Sequence, residues 1–250
     1  MGFEHLDCYS SSSSCSASID GAMRRSSFSI AIALVALVGT VASAPASTSV
    51  PTRAAIVAAV RAQRSVHYEA TASFPGGGTH FDGDAAVGRG IQRITVTRSG
   101  RTGHVTVLVV ASTAYVRGDA FTLATYMGFR ASAAARYAGK WLRLDHTAPG
   151  FRTVAAAVRL DNSFIDDLDI AQTLHALGTT RVDGQRALGL TSRRVIEGHA
   201  VTETLYVRAA GLPLPVAERG HGNGATLDAH WGNWNERVQL TAPAHSIVPS

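Results

Sequence analysis

Imidazoles and carboxylates cluster twice along this chain, as His80 with Asp82 and Asp84, and as His221 with Asp228 and His230. Gathered by folding, either set offers donor types that hold a divalent cation. Neither has the spacing of a dedicated site, and no histidine pair brackets a glutamate at the helical spacing of a zinc protease. Histidines in turns or facing solvent account for both sets. Asp161, Asn162 and Ser163, with Asp166 and Asp167, resemble a calcium loop but lack its glycine and its terminal glutamate. Helix capping by Asp161 or Ser163 explains them better. Gly220-His221-Gly222-Asn223-Gly224 lacks the lysine and the helix that follow a phosphate-binding loop, and a hairpin turn suffices. No G-x-S-x-G nucleophile elbow occurs beyond residue 44. Trp231 and Trp234 could form a stacking platform; an aromatic anchor at the sheet edge is the expected role. These residues point to a protein that is not an enzyme and uses no cofactor and no metal.

The elements that position these residues begin after an export signal. Met23-Arg24-Arg25-Ser26-Ser27 precedes the apolar run 28–41 and the small-residue site Ala42-Ser43-Ala44. That order is a secretory signal peptide over 23–44, and its apolar core is shorter than the roughly 20 residues a bilayer requires. Ser43-Ala44-Pro45 stands where a lipid-anchored protein carries cysteine, so the expected location is secreted or in the cell-envelope space, without a lipid anchor. Residues 1–22, with a serine run at 10–14, do not belong to such a signal; a mis-called start with Met23 as the true one explains them, and they are expected to be disordered. Both cysteines, Cys8 and Cys15, fall there, leaving the exported domain without disulfides, thiolate ligands or a cysteine nucleophile. The net charge is +5, with arginines scattered rather than clustered. A solvated basic surface follows, and nucleic acid is excluded as a partner by export and by the lack of an aromatic-interleaved basic motif.

Residues 45–250 are long enough for one domain with its own core. Pro51 opens a helix over 52–64, with Ile56, Val57 and Val60 as its apolar stripe. The period then becomes two: Val66, Tyr68, Ala70, Ala72 and Phe74 alternate with polar residues, as in a half-buried strand. Short turns separate further strands near 79–87, 91–97, 104–110 and 114–117. A helical block follows, with helices expected over 119–127, 132–137, 151–158 and 163–177 and a short strand at 141–144. Strands resume at 179–182, 186–196, 201–207, 212–218 and 225–231. Strand runs broken by helices make an α+β fold with an antiparallel sheet.

Two details sharpen this picture. Pro213 and Pro215, two apart, cannot donate to a neighbour, so 212–218 is expected to pair on one side only, in an open sheet. Small residues (Ala70, Ala72, Ala187, Gly189, Ala225, Ala229) at apolar strand positions leave room on an inner face. The block 121–174, which carries Phe121, Leu123, Met127, Phe129, Phe164, Ile165 and Leu168, is expected to cover that face. Composition alone leaves a filled core and a ligand cavity equally open.

Five segments, Tyr115-Val116-Arg117-Gly118, Gly139-Lys140-Trp141-Leu142, Thr204-Leu205-Tyr206-Val207, Gly211-Leu212-Pro213-Leu214-Pro215-Val216 and Trp234-Asn235-Glu236-Arg237-Val238 with Ala242-Pro243, carry a resemblance by their order and spacing. The chain resembles actinobacterial exported proteins of the lipoprotein-carrier type, which are LolA-like and akin to the LppX and LprG lipid carriers. The resemblance implies an open antiparallel half-barrel with helices over its concave face. It also implies a hydrophobic cavity for a lipid or acyl chain, carried through the cell envelope, with no catalytic motif to transfer. The expected cavity residues are Tyr68, Ala70, Ala72, Phe121, Met127, Phe164, Leu168 and Ala187. A monomer is expected, and an envelope protein or lipoprotein could be its partner. Two alternatives stay open: a protein-interaction module without a lipid ligand, and an envelope hydrolase acting through a His–Asp pair. Peptide mapping of protein recovered outside the cell is expected to find its N-terminus at Pro45. A native peptide containing Cys8 or Cys15 would move the start upstream of Met23.

Overall fold

The computed structural model describes residues 50–148, 150–156, 158–160, 173–196 and 199–249. The export segment, Asp161 to Ser163, Asp166, Asp167, Phe164 and Leu168 lie outside the described residues. The first element, α1 (Arg53–Arg61), is capped by Thr52, whose hydroxyl accepts from the Ala55 amide. It buries Ile56, Val57, Ala59 and Val60. Five strands follow as a meander, β1 (Ser65–Phe74), β2 (Gly77–Ala86), β3 (Arg89–Arg98), β4 (Arg101–Val110) and β5 (Thr113–Gly118). Their turns are tight, with Gly76, Gly88 and Gly100 at positive φ. Then come α2 (Ala120–Thr125), α3 (Ala131–Tyr137), β6 (Leu142–Asp145) and α4 (Phe151–Ala156). A second meander completes the fold: β7 (His175–Val182), β8 (Gln185–Ile196), β9 (His199–Arg208), β10 (Pro215–Gly222) and β11 (Ala225–Gly232).

All eleven strands form one antiparallel sheet in the order β6-β5-β4-β3-β2-β1-β11-β10-β9-β8-β7. It is open, with β6 and β7 at its two ends. The two meanders meet where the first strand pairs with the last, Tyr68 opposite Trp231 and Ala70 opposite Ala229.

Three expectations need correction. The proline-bearing strand starts at Pro215 rather than 212, and it lies inside the sheet, between β9 and β11. Pro215 pairs only with Val207 of β9, and pairing with β11 begins at Ala217, after a register shift. The missing N–H is thus absorbed at the strand's first residue and a bulge, the two places where a central strand tolerates proline. Residues 175–177, expected to end a helix, belong to β7. The glycine-rich turn is also shorter than expected, since Gly220 and Gly222 are strand residues of β10 and the turn is Asn223-Gly224.

Two further contacts fix the architecture. Where residues 158–160 cross the start of β3, the Leu160 amide donates to Ala86 O at 3.1 Å. A Cβ on Gly90 would lie 1.6 Å from the Val158 carbonyl oxygen, so only glycine admits this crossing. After β11 the chain is tied to the end of α1: Asn235 Oδ1 accepts from the Arg64 amide at 2.8 Å, its Nδ2 donates to Gln63 Oε1 at 2.6 Å, and its amide donates to Ser65 O at 3.0 Å. Farther on, Ile247 joins β6, accepting from the Arg143 amide at 2.8 Å and donating to Trp141 O at 2.9 Å. Gly90→Ala is expected to destabilise the protein by about 1–3 kcal/mol in urea unfolding, the range of overpacking costs. Asn235→Ala, which leaves the Gln63 side chain and the Arg64 amide without their partner, should cost about 1–3 kcal/mol.

Candidate functional site

One face of the sheet is apolar and carries the helices. Its side chains form two clusters. The first joins α1 to β1, β8, β9 and β11 through Ile56, Val60, Val66, Tyr68, Leu190, Leu205, Val207 and Trp231. The second joins α2, α3 and α4 to β3–β6 through Leu123, Tyr137, Phe151, Ile94, Val107, Val116 and Leu142. Phe81 of β2 packs against both. The helical block thus covers part of this face, as expected, and α1 packs over another part together with Leu160 and Leu174.

The expected cavity residues do not all meet. Tyr68 is buried in the first cluster, and Ala70 packs against it, half-buried, between Phe81 and Ala229. Ala72 follows at the same parity, opposite Thr79 and Leu227, half-buried. Met127 packs against the second cluster. Phe121 lies over Gly103 of β4, with the Arg101 guanidinium 4.7 Å above its ring. Ala187 is a correction. It is fully buried, but with Val182, Val216 and Ala217 in a third cluster, apart from Tyr68. Its strand neighbour Leu188, opposite Val207, takes the inner side. Alanine suits either face of a strand, and its parity depends on registers that sequence does not reveal.

Across β1–β6 the three central rows of the inner face read Val66, Ala85, Gly90, Val109, Ala114, Leu144; Tyr68, Gly83, Gln92, Val107, Val116, Leu142; and Ala70, Phe81, Ile94, Val105, Gly118. Only the Tyr68 phenol and the Gln92 amide are polar there. Gly83 stands between them in register. A Cβ at Gly83 would come within 2.8 Å of Tyr68 Cζ and its hydroxyl, so the glycine lets the ring lie across β2 and reach Gln92. Burial pushes the phenol's pKa up, and the Gln92 hydrogen bond only partly opposes this. Tyr68 therefore stays a neutral hydroxyl. In the other half, Glu218 opposite Leu205 and Glu203 opposite Ser192 bring carboxylates to the same parity.

Asp119 positions α2. Its side chain accepts from the Thr122 amide at 2.8 Å and from the His104 amide of β4. Burial pushes its pKa up, but these amides and the Thr122 hydroxyl outweigh that and hold the carboxyl below its ordinary value.

Outside the third cluster the opposite face is polar, and there the two histidine–carboxylate sets come apart. Asp84 pairs with His67 at 2.9 Å and Asp82 with Arg93 at 3.0 Å, leaving His80 against Thr71 and Glu69. His230 does meet Asp228, at 3.3 Å, but its second partner is Asp183 of the β7–β8 turn, at 2.7 Å, rather than His221. Sequence reasoning missed Asp183, which comes from 47 residues away. Glu69 and Thr71 complete this recess. Among the described residues no group of three or more His, Cys, Asp or Glu is arranged to hold a metal ion. Trp231 is a core residue at the middle of the sheet, and Trp234 packs beside it and donates to Pro215 O at 3.3 Å. Neither marks an edge. No described helix is long and apolar enough to cross a membrane.

No protein-family model matches the chain, and no curated protein sequence matches it. Solved structures do. LprF from Mycobacterium bovis superposes with a TM-score of 0.54 at 14% identity, over 77% of this chain and 95% of that one. The Mycobacterium tuberculosis lipoprotein LppX gives 0.47 at 15% identity, over 75% and 95%. An uncharacterized conserved protein from Thermus thermophilus gives 0.39 at 12%, over 77% and 95%. The likeness to LprF carries the fold: this chain is an open antiparallel half-barrel of the same architecture.

Asp119→Ala is expected to lower stability by about 1 kcal/mol at neutral pH, the worth of an N-cap. Because folding lowers the carboxyl's pKa, wild type holds this advantage above the unfolded-state value and loses it as pH falls through the folded-state value. Urea titrations from pH 7 down to 3 should therefore converge.

Proposed function

We propose that this protein binds a lipid or acyl chain on the inner face of its half-barrel and carries it outside the cytoplasm. The observation that supports this most is the inner face itself. Three rows of side chains, two across six strands and one across five, are apolar but for one phenol and one amide, and separate helices cover them instead of a second sheet. Such a surface removes alkyl groups from water at about 0.8 kcal/mol per buried methylene, so a chain of ordinary length is held without any covalent step. Ala70 and Ala229, opposite each other, put only short side chains on that face. The basic segment, apolar run and small-residue site of 23–44 support export, and the absence of a cysteine after it supports a protein released rather than tethered.

A second reading, a protein-interaction module, rests on β7. Its residues from His175 to Arg181 are exposed along one end of the sheet, with Leu177 at 62%. Uptake of a fluorescent fatty-acid probe separates the two. The wild type should take up the probe and co-purify with lipid in native mass spectra. Ala70→Trp, which fills the space between Phe81 and Ala229, should abolish uptake while the protein still melts cooperatively, at a stability cost of about 1–3 kcal/mol. A wild type that takes up no probe and carries no lipid would leave the interaction module standing.

A further inference from the structure

We propose that Tyr68 and Gln92 form the polar contact point of the inner face, and that the chain they fit carries an oxygen function, a carbonyl or a hydroxyl, within its apolar length. This rests on the lipid-binding reading and makes it specific.

The argument starts from what the pair costs. Tyr68 is 7% exposed and Gln92 6%. Burying a phenol and a carboxamide among Val107, Val116, Ile94 and Val66 is unfavourable unless their hydrogen-bonding groups are used. A glutamine amide both donates and accepts, as does a phenol, and one bond between them leaves capacity on the amide. Gly83 adds a third concession. Glycine within a strand weakens it and packs nothing, yet here it clears the path between the two side chains. All three concessions fall in one row, at successive strands, where apolar residues would serve a purely packed face better.

The position is also where a ligand would run. Gln92 sits in β3, whose Ile94 belongs to the second cluster, while Tyr68 belongs to the first. Tyr126, the C-terminal cap of α2, brings a second phenol near enough to act on Tyr68 electrostatically. A chain lying across the sheet from one cluster to the other passes this point. A carbonyl or hydroxyl there can use the capacity that the Tyr68 bond leaves on the Gln92 amide, whereas a methylene cannot.

The test uses octadecanoic acid and a series of oxo-octadecanoic acids with the ketone at different carbons, each displacing a fluorescent fatty acid from the exported protein. The head group is common to all and cancels. Wild type should prefer one or two ketone positions over the plain chain by roughly five- to tenfold, the size of a neutral hydrogen bond. The preference should peak with position, because the contact point is fixed. Tyr68→Phe and Gln92→Met should each flatten that peak, so that within each variant every ketone position binds like the plain chain. If one variant fails to melt cooperatively, the other and the wild-type position series still decide. Equal binding of all ketones by wild type overturns the proposal, and so does a peak that survives in both variants. Failure of every chain to bind overturns the lipid-binding reading itself and is seen separately, in the plain acid.

Discussion

Seven successive residue pairs, from His67–Gly232 to Ser73–Thr226, hold β1 against β11. This pairing joins the two meanders, each of which is built from local hairpins. It brings together residues about 160 positions apart, and the loop closure it demands is the largest entropic cost in the described sheet. The inner face depends on it. Without it, Tyr68 would lack Trp231 as its neighbour, α1 would cover only one meander, and the first cluster would be split. Asn235 reinforces the junction from outside the ladder by binding α1 and β1 at once. Its backbone, at positive φ, suits asparagine better than most residues.

Glycines shape the sheet by what they omit. Gly83 admits a ring, and Gly90 admits a passing carbonyl. Both have ordinary strand backbone, so the requirement is space rather than conformation. Hairpins would form with alanine at either place; the crossing at Gly90 and the reach of Tyr68 to Gln92 would not.

Much of this was legible in the amino-acid order. Alternation in 66–74 gave β1 its face, and turn residues such as Gly76, Gly88 and Gly100 set the first meander to within a few residues. The likeness to the carrier family pointed to an open half-barrel, and the sheet order agrees. What sequence did not convey was parity and distance. Ala187 looked like a wall residue but turned the other way, because small apolar residues fit both faces. Pro213 and Pro215 implied a strand paired on one side, but the strand began at Pro215 and a bulge absorbed the defect. Asp183 reached His230 only through the folding of a remote turn. Gln92 did leave a signal. It is a polar residue at the inward parity of Ile94 and Val96, and that anomaly in a strand is readable from the order of residues alone.

The short contact of Ile247 with β6 has a consequence for assembly. Sheets grow by adding strands at an edge, and an edge whose amides and carbonyls are engaged cannot act as a template. At Trp141 and Arg143 the chain's own tail occupies that position. Growth is thereby left to β7, at the other end of the sheet.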